Sequence, residues 1–479
     1  MKPMNPNDQM FLLLENRSQP MHVAGLLLFK IPDGASDTFV RDTIAHWRTF
    51  TQPAHKFGQT VVSKRGRWFW KDDSEFDLDN HLIHVSLPKP ARIRELLSYV
   101  SIQHSSVMDR SIPLWRVHVI EGIEGNRFAI YFKIHHCMTD GVNAMRMLNE
   151  SLSKTPEEMN ATPAWAREEP KRDRPKDAAS RIRRSLKAVR SGVQDAATIL
   201  PVIGVEMMRA VANLPFSAMT RLSDAPRCDL SKEITSGRRF VAQSYEMDRF
   251  VKIKNEPDTT INDVLMTVLG GAVRSYFINH GELPTKSLVA MVPVSVRTQA
   301  ESTGNAIACV LSRLATQVAD PLERLSIVSS NMTAAKQFVR RVGTVASTAY
   351  MNLLTVPAVV YGLTGAKPPI SPANLLISNV PGESEPLYIN GALLDGIYPL
   401  SLVTFGMGLN VTILSYNQQL HIGFTGCRQT IPKLQRLIDY TEDSLKELEE
   451  VLGLSGVEDP MGGELGEGGE SERGVSGVA

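Results

Sequence analysis

Residues 127–148 constrain this chain most. Arg127-Phe128-Ala129-Ile130-Tyr131-Phe132-Lys133-Ile134 is an apolar run of strand length, and Val142-Asn143-Ala144-Met145-Arg146-Met147-Leu148 has the spacing of an opening helix. Between them stands His135-His136-Cys137-Met138-Thr139-Asp140-Gly141. A strand end is rigid, and a helix start offers unpaired N–H groups. A histidine between the two is held in place and still reachable. Imidazole titrates near neutral pH, so it suits a general base that takes a proton from a hydroxyl. His136 is the candidate base. His135 is expected on the opposite face, because neighbouring extended side chains alternate, and is assigned a supporting role. Asp140 can cap the helix or pair with an arginine and so orient the loop, while Gly141 allows tight backbone packing.

Other chemistries fit these residues less well. Two adjacent histidines and an aspartate could bind a metal, but no third ligand has recognisable spacing, so none is assigned. Cys137 could be a nucleophile beside a histidine, although a small buried cysteine is the commoner case. A serine hydrolase would need a G-x-S-x-G elbow, which the chain lacks. A P-loop and a full dinucleotide fingerprint are also absent.

At 479 residues the chain exceeds what one core organises, so two domains or two halves of a pseudo-repeat are expected. A formal net charge of +1 gives no global field for nucleic acid, which is not expected as a partner. Four scattered cysteines without a CxxC pair fit a reducing cytoplasm. The first eight residues lack a signal-peptide core, and no apolar run is long enough to span a bilayer.

Periodicity divides the chain into a first domain over 1–165, a linker over 166–239, a second domain over 240–453 and a disordered tail over 454–479. Helices are expected from Asn7 or Asp8 to Leu14, from Asp37 to about Arg48, from Ile93 to Met108, from Thr260 or Asn262 onward, and from about Pro432 to Leu452. Strands are expected at 23–29, 68–70, 81–85, 115–120, 128–134, 287–294 and 374–380, with a hairpin around Asn417-Gln418-Gln419. In the linker, Lys176, Arg181, Arg183, Arg184, Lys187 and Arg190 stand against one acid, Asp177, ahead of an apolar helical stretch over 199–219. That stretch reads either as an interdomain helix followed by a core helix or as a surface anchor on anionic lipid. The tail is Gly- and Glu-rich with almost no large apolar residues.

The motif His135-His136-x-x-x-Asp140-Gly141 resembles that of CoA-dependent acyltransferases of the chloramphenicol acetyltransferase type, which peptide-synthetase condensation domains share. Further segments narrow the likeness: Pro6-Asn7-Asp8 ahead of Met10-Phe11-Leu12, Phe76-Asp77-Leu78-Asp79 with His81, and Asp109-Arg110-Ser111 with Pro113-Leu114-Trp115. Asn262-Asp263, Pro293-Val294-Ser295-Val296-Arg297 and Ser378-Asn379-Val380-Pro381-Gly382 continue it. Together they resemble the bacterial bifunctional wax ester synthase/acyl-CoA:diacylglycerol acyltransferase family over residues 4 to 450.

The resemblance implies an α/β fold with mixed sheets: two chloramphenicol acetyltransferase-like domains with the active site and a substrate channel at their interface. It implies direct transfer of a long-chain acyl group from acyl-CoA to a fatty alcohol or diacylglycerol, without an acyl-enzyme and with no cofactor beyond the acyl-CoA substrate. His136 is carried over as base, with His135, Asp140 and Gly141 as motif partners. Pro113, Leu114, Trp115, Asn262 and Asp263 are carried over as substrate-contacting or structural residues. Ser378, Asn379 or a side chain near Asn262 are candidate oxyanion donors, and Arg297 is a candidate partner for Asp140. The apolar stretch from Thr348 to Leu363 could wall the channel or be ordinary core. The expected location is the cytoplasm, with peripheral attachment to the inner membrane face or to lipid inclusions. A carrier-dependent condensation-type transferase and a non-catalytic lipid-inclusion tether are the alternative readings.

Overall fold

The computed structural model describes residues 1–139, 141–167, 220, 224–255, 259–295, 307–340 and 371–454. Most of the basic and apolar linker, the 348–363 stretch, Asp140, Arg297 and the tail beyond 454 lie outside these residues. The first half contains β1 (Lys2–Pro3), α1 (Pro6–Leu14), β2 (His22–Lys30), α2 (Phe39–Trp47), β3 (Gln59–Lys64) and β4 (Arg67–Asp72). It continues with β5 (Leu82–Ser86), α3 (Ile93–Ser105), β6 (Trp115–Ile123), β7 (Arg127–His135) and α4 (Gly141–Ser151). The second half contains β8 (Arg238–Glu246), α5 (Met247–Lys254), α6 (Ile261–His280), β9 (Val289–Ser295), β10 (Ile307–Arg313) and a helix, α7, over 321–340. After it come β11 (Leu375–Val380), β12 (Tyr388–Ile389), β13 (Ala392–Leu400), β14 (Leu409–Tyr416), β15 (Gln419–Cys427) and α8 (Arg436–Val451).

Two six-stranded mixed sheets organise the chain, in the orders β12-β13-β2-β7-β6-β5 and β10-β9-β11-β14-β15-β8. In the first sheet β7 is central, antiparallel to both β2 and β6, and buried on both faces, with Phe128, Ile130, Phe132 and Ile134 in one core and Ala129 and Tyr131 in another. That explains its nearly unbroken apolar sequence. In the second sheet β11 runs parallel to β9 and β14. Leu375, Ile377, Val411 and Ile413 of this sheet share a core with Val264, Val268 and Leu269 of α6 and with Leu445 and Leu448 of α8. Thr260 caps α6, accepting from the Asp263 N–H while Asp263 reaches back to the Thr260 N–H, so the capping role falls to Thr260 rather than Asn262.

The chain crosses between lobes where its sequence shows no boundary. Residues 388–400 follow strands of the second sheet yet pair in the first, β13 lying antiparallel to β2 with Leu400 opposite Ala24. Asp395, Gly396 and Pro399 make this segment read as a turn. It is a strand because β2 supplies the ladder, and a bulge between Leu394 and Gly396 absorbs the irregularity. Pro399 is tolerated because β12 is only two residues long and pairs at the far end of β13, leaving Pro399 with no ladder partner on that side. The lobes approach closely here: a Cβ on Gly423 of β15 would overlap the Pro399 carbonyl oxygen, so only glycine fits.

Buried imidazoles join the lobes. His104, at the end of α3, bonds the Tyr131 hydroxyl through Nδ1 at 3.0 Å and donates from Nε2 to the Ser401 carbonyl at 3.2 Å. His421 of β15 meets the Ser244 hydroxyl at 2.7 Å, and Ser244 in turn meets Tyr398 of the first sheet at 3.1 Å. Burial, with Lys133 nearby, pushes His104 down to about 3, and burial pushes His421 down to about 4. Both are neutral when folded and protonate when unfolded below the ordinary value of 6.5, so the unfolded chain binds more protons and stability falls as pH drops from 6.5 toward 4. Chemical denaturation at pH 7.5, 6 and 5 is expected to show midpoints decreasing in that order, with the decrease reduced in His421→Gln.

Candidate active site

His135 ends β7 opposite His22 of β2, and His136 opens the turn that follows. The turn is pinned on three sides. The His135 N–H donates to the Leu114 carbonyl at 2.9 Å, the His136 N–H to the Met21 carbonyl at 2.9 Å, and Lys56 Nζ reaches the Met138 carbonyl at 3.3 Å. The Met138 N–H closes the turn on the His135 carbonyl at 2.9 Å. α4 then starts at Gly141, as the helix spacing predicts.

The two histidines occupy opposite environments. His135 is fully buried. Its Nδ1 accepts from the Cys137 N–H at 3.1 Å, and its Nε2 faces Glu15 Oε1 at 3.3 Å. Accepting at Nδ1 while facing a carboxylate at Nε2 selects the Nε2–H tautomer. His136 is half-buried, and its Nδ1 lies in the interior. Its ring stacks on Phe11 of α1, with centroids 4.1 Å apart and planes 11° from parallel.

Glu15 is a residue that sequence reasoning missed. Its carboxylate is 1% exposed and also accepts from the Met21 N–H at 3.1 Å, Arg110 Nε at 3.2 Å and Arg110 Nη2 at 3.0 Å. Burial alone would raise its pKa, but the bonds from His135, Met21 and Arg110 outweigh that and hold the carboxyl below its ordinary value. Arg110 also donates to the Leu12 carbonyl at 2.8 Å, tying α1 to the same centre. The signal available in sequence was Arg110, already prominent in Asp109-Arg110-Ser111: an arginine drawn partly into the interior needs a carboxylate. The segment after Glu15 reaches the second lobe, where Phe405 N–H donates to Gln19 Oε1 at 2.8 Å and Arg238 donates to the Ser18 carbonyl at 2.7 Å.

The remaining motif residues separate by location. Pro113 and Leu114 are buried, and Trp115 is fully enclosed, donating to the Phe57 carbonyl at 2.8 Å and stacking on His81 with centroids 4.4 Å apart. This trio packs the core beneath the turn, and Leu114 holds His135 directly. Asn262 and Asn379 meet, Asn379 Nδ2 donating to Asn262 Oδ1 at 2.7 Å. Asp263 is 1% exposed and serves the α6 cap through Oδ2. Along β11, Leu375 and Ile377 enter the helix-side core, so alternation turns Asn379 toward α6 and Ser378 to the other face, beside Thr412. Ser378 and Asn379 therefore do not act on the same face.

Cys137 is fully buried and burial pushes its thiol far above the ordinary range, which removes the thiolate a nucleophile needs. Among the described residues no group of three or more His, Cys, Asp or Glu is placed to hold a metal ion, and no helix is long and apolar enough to cross a membrane. A cleft of about 380 Å³ opens between α4 and the turn after β11, lined by Met145, Arg146, Asn149, Val380, Pro381 and Glu383. Asn149 Nδ2 bridges it to Glu383 at 3.0 Å, linking the two halves.

Two linked mixed sheets with the histidine motif at a strand end are the architecture expected of the CoA-dependent acyltransferase type. Comparison with known proteins sharpens that class. Residues 4–265 match the wax ester synthase/diacylglycerol acyltransferase catalytic domain, and residues 303–449 match the C-terminal domain of the same family. The O-acyltransferase WSD of Acinetobacter baylyi is 41% identical over 460 residues, covering 94% of this chain and 98% of that one. The solved wax ester synthase/diacylglycerol acyltransferase from Marinobacter aquaeolei VT8 is 39% identical with a TM-score of 0.74, covering 95% of this chain and all of that one. A condensation domain of the calcium-dependent antibiotic synthetase shares the fold at a TM-score of 0.56 and 16% identity, covering 95% of this chain and 96% of that one. The chain belongs to the wax ester synthase/diacylglycerol acyltransferase family and is an acyltransferase.

Proposed function

We propose that the protein transfers a long-chain acyl group from acyl-CoA to the hydroxyl of a fatty alcohol or a diacylglycerol, with His136 as general base. The observation that carries this is the contrast in burial between the two imidazoles: His135 is fully enclosed, with Nδ1 accepting from the Cys137 N–H and Nε2 facing Glu15 at 3.3 Å, whereas His136 is half-buried with Nδ1 turned inward, which makes Nε2 the working nitrogen. Nε2 takes the acceptor's proton as the oxygen attacks the thioester carbonyl. The tetrahedral intermediate collapses, the carbon–sulfur bond breaks, and the same proton passes to the departing thiolate. The products are an ester and free CoA. The thioester is already activated, so the step calls for neither a resident cofactor nor an acyl-enzyme.

Ser378 is taken as the β11 candidate for the oxyanion, on the face opposite the Asn379–Asn262 pair. The lobes are assigned as 1–165 and 240–453, joined by a linker over 166–239, with residues 388–400 of the second segment completing the first lobe's sheet. Peripheral contact with a membrane or lipid inclusion follows from the insolubility of acceptor and product. The test offers purified protein palmitoyl-CoA with hexadecanol, diacylglycerol or a carrier-bound acyl donor in competition. Ester formation from palmitoyl-CoA supports the reading, and transfer only from the carrier donor overturns it. Lipid binding without transfer to either acceptor would favour a tether instead.

A further inference from the structure

We propose that Phe11 is a positioning residue for the transfer: its ring orients the His136 imidazole and stabilises the imidazolium formed when Nε2 takes the acceptor's proton. This rests on the reading of His136 as the base. The rings lie 4.1 Å apart at 11°, a face-to-face contact, so a positive charge on the imidazole would sit over the π-face of Phe11. In that stacked arrangement the quadrupole of the Phe11 face attracts a charge that forms on the imidazole.

Phe11 is well placed to hold the ring. It sits on α1, whose Leu12 carbonyl is bonded by Arg110, and whose last residue precedes Glu15, so one buried charge cluster fixes both the helix and the histidine turn. The backbone of His136 is held by Met21 in the segment that follows the same helix. Phe11 is half-buried: it packs against the edge of the first lobe's core and leaves part of its ring for His136, while Leu13 on the same helix is 42% exposed.

Among the described residues, the charged and titratable groups around the turn are Asp8 on α1, Glu15 behind it, Lys56 at Met138, His135 and Lys133 on β7, His22 opposite His135, Cys137 in the turn, and Arg110. Lys56 lies 3.8 Å from Asp8, and Arg110 is paired to Glu15, so these charges largely oppose one another in pairs. The face of Phe11 is a separate contribution to the base, and a substitution there leaves the charged groups in place.

The test compares Phe11→Leu and Phe11→Met with Phe11→Tyr and Phe11→Trp, beside His136→Ala. Loss of the ring is expected to lower kcat about 10-fold with the KM for palmitoyl-CoA changed less than about twofold. The acid limb of kcat/KM against pH is expected to move down by about half a unit, because an imidazolium without its π-face is less stable. Tyr and Trp are expected to restore kcat to within about threefold and to restore the acid limb. Apolar packing alone would be satisfied by Leu or Met and would not move the pH profile. Wild-type kcat and an unmoved acid limb in Phe11→Leu or Phe11→Met, or failure of both aromatic variants to rescue folded protein, would overturn the proposal. His136→Ala separates the two readings: its inactivity beside a fully active Phe11→Leu would remove the role of Phe11 and keep the base, whereas an active His136→Ala would remove the base itself.

Discussion

His136→Ala is expected to lower transferase turnover by about 10²–10⁴-fold, the usual loss when a positioned general base is removed. The backbone of the turn should survive, because its anchors are main-chain: the His135 and His136 N–H groups reach Leu114 and Met21, and Met138 closes on His135. The ring is half-buried and stacked on the equally half-buried Phe11, so the change in stability should be small beside the change in rate. The measurement is release of CoA thiol with hexadecanol as acceptor, alongside calorimetric binding of palmitoyl-CoA and a melting curve. Retained binding and folding with lost turnover is the expected pattern. Turnover within about threefold of the wild type would end the assignment. His135→Ala should behave differently, because it empties a fully buried site and leaves Glu15 with one partner fewer. It is expected to reduce both stability and activity.

Glu15→Ala is expected to cost about 3 kcal/mol of stability, toward the lower end of what breaking a buried ion pair costs, because the Arg110 side chain keeps 31% exposure. The Met21 N–H, the Arg110 fork and His135 Nε2 would all lose an acceptor at once. Turnover should fall by about 10–100-fold, since Glu15, Met21 and His135 together set where the His136 ring lies and small displacements are costly in catalysis. Glu15→Gln keeps an oxygen for the Met21 N–H and removes the charge, so it should lie between alanine and the wild type. The pH sign is fixed by the lowered carboxyl. A group whose folded value is depressed contributes stability above its unfolded value of 4.5 and loses it as pH falls through the lower folded value. The stability difference between wild type and Glu15→Gln should therefore be full at pH 7 and shrink below pH 4.5. A difference independent of pH would mean that Glu15 acts through packing and not through charge.

Much of the local structure was legible because it rests on period and caps. β7, α4, α6 and the β14–β15 hairpin lie where alternation, helical spacing, Thr260 and the Asn417-Gln418 turn place them, and both turn residues have positive φ. Other elements were hidden because their sequence contradicts their state. β13 carries Asp, Gly and Pro and is a strand only through β2. β8 and β10 went unassigned: β8 is an edge strand half-exposed along its middle, and β10, at the other edge, pairs with β9 alone among the described residues. At the site, the histidine pair was readable from strand-to-helix context, but Glu15 was not. It lies 120 residues before His135, just past the Pro6–Leu12 motif segment, and nothing along the chain ties it to the histidine pair.

The order of residues was enough to determine the chemistry available: an imidazole at the junction of a buried strand and a helix, two lobes' worth of chain, and the motifs of an acyltransferase family. Those depend on neighbours a few positions apart, where period, capping and side-chain type act directly. Folding in three dimensions decided which imidazole is enclosed and which stays open, that an acid from α1's end stands behind the first, and that a strand from the second half completes the first sheet. Such pairings join distant positions through burial of charge and sharing of backbone hydrogen bonds, and neither leaves a periodic trace along the chain.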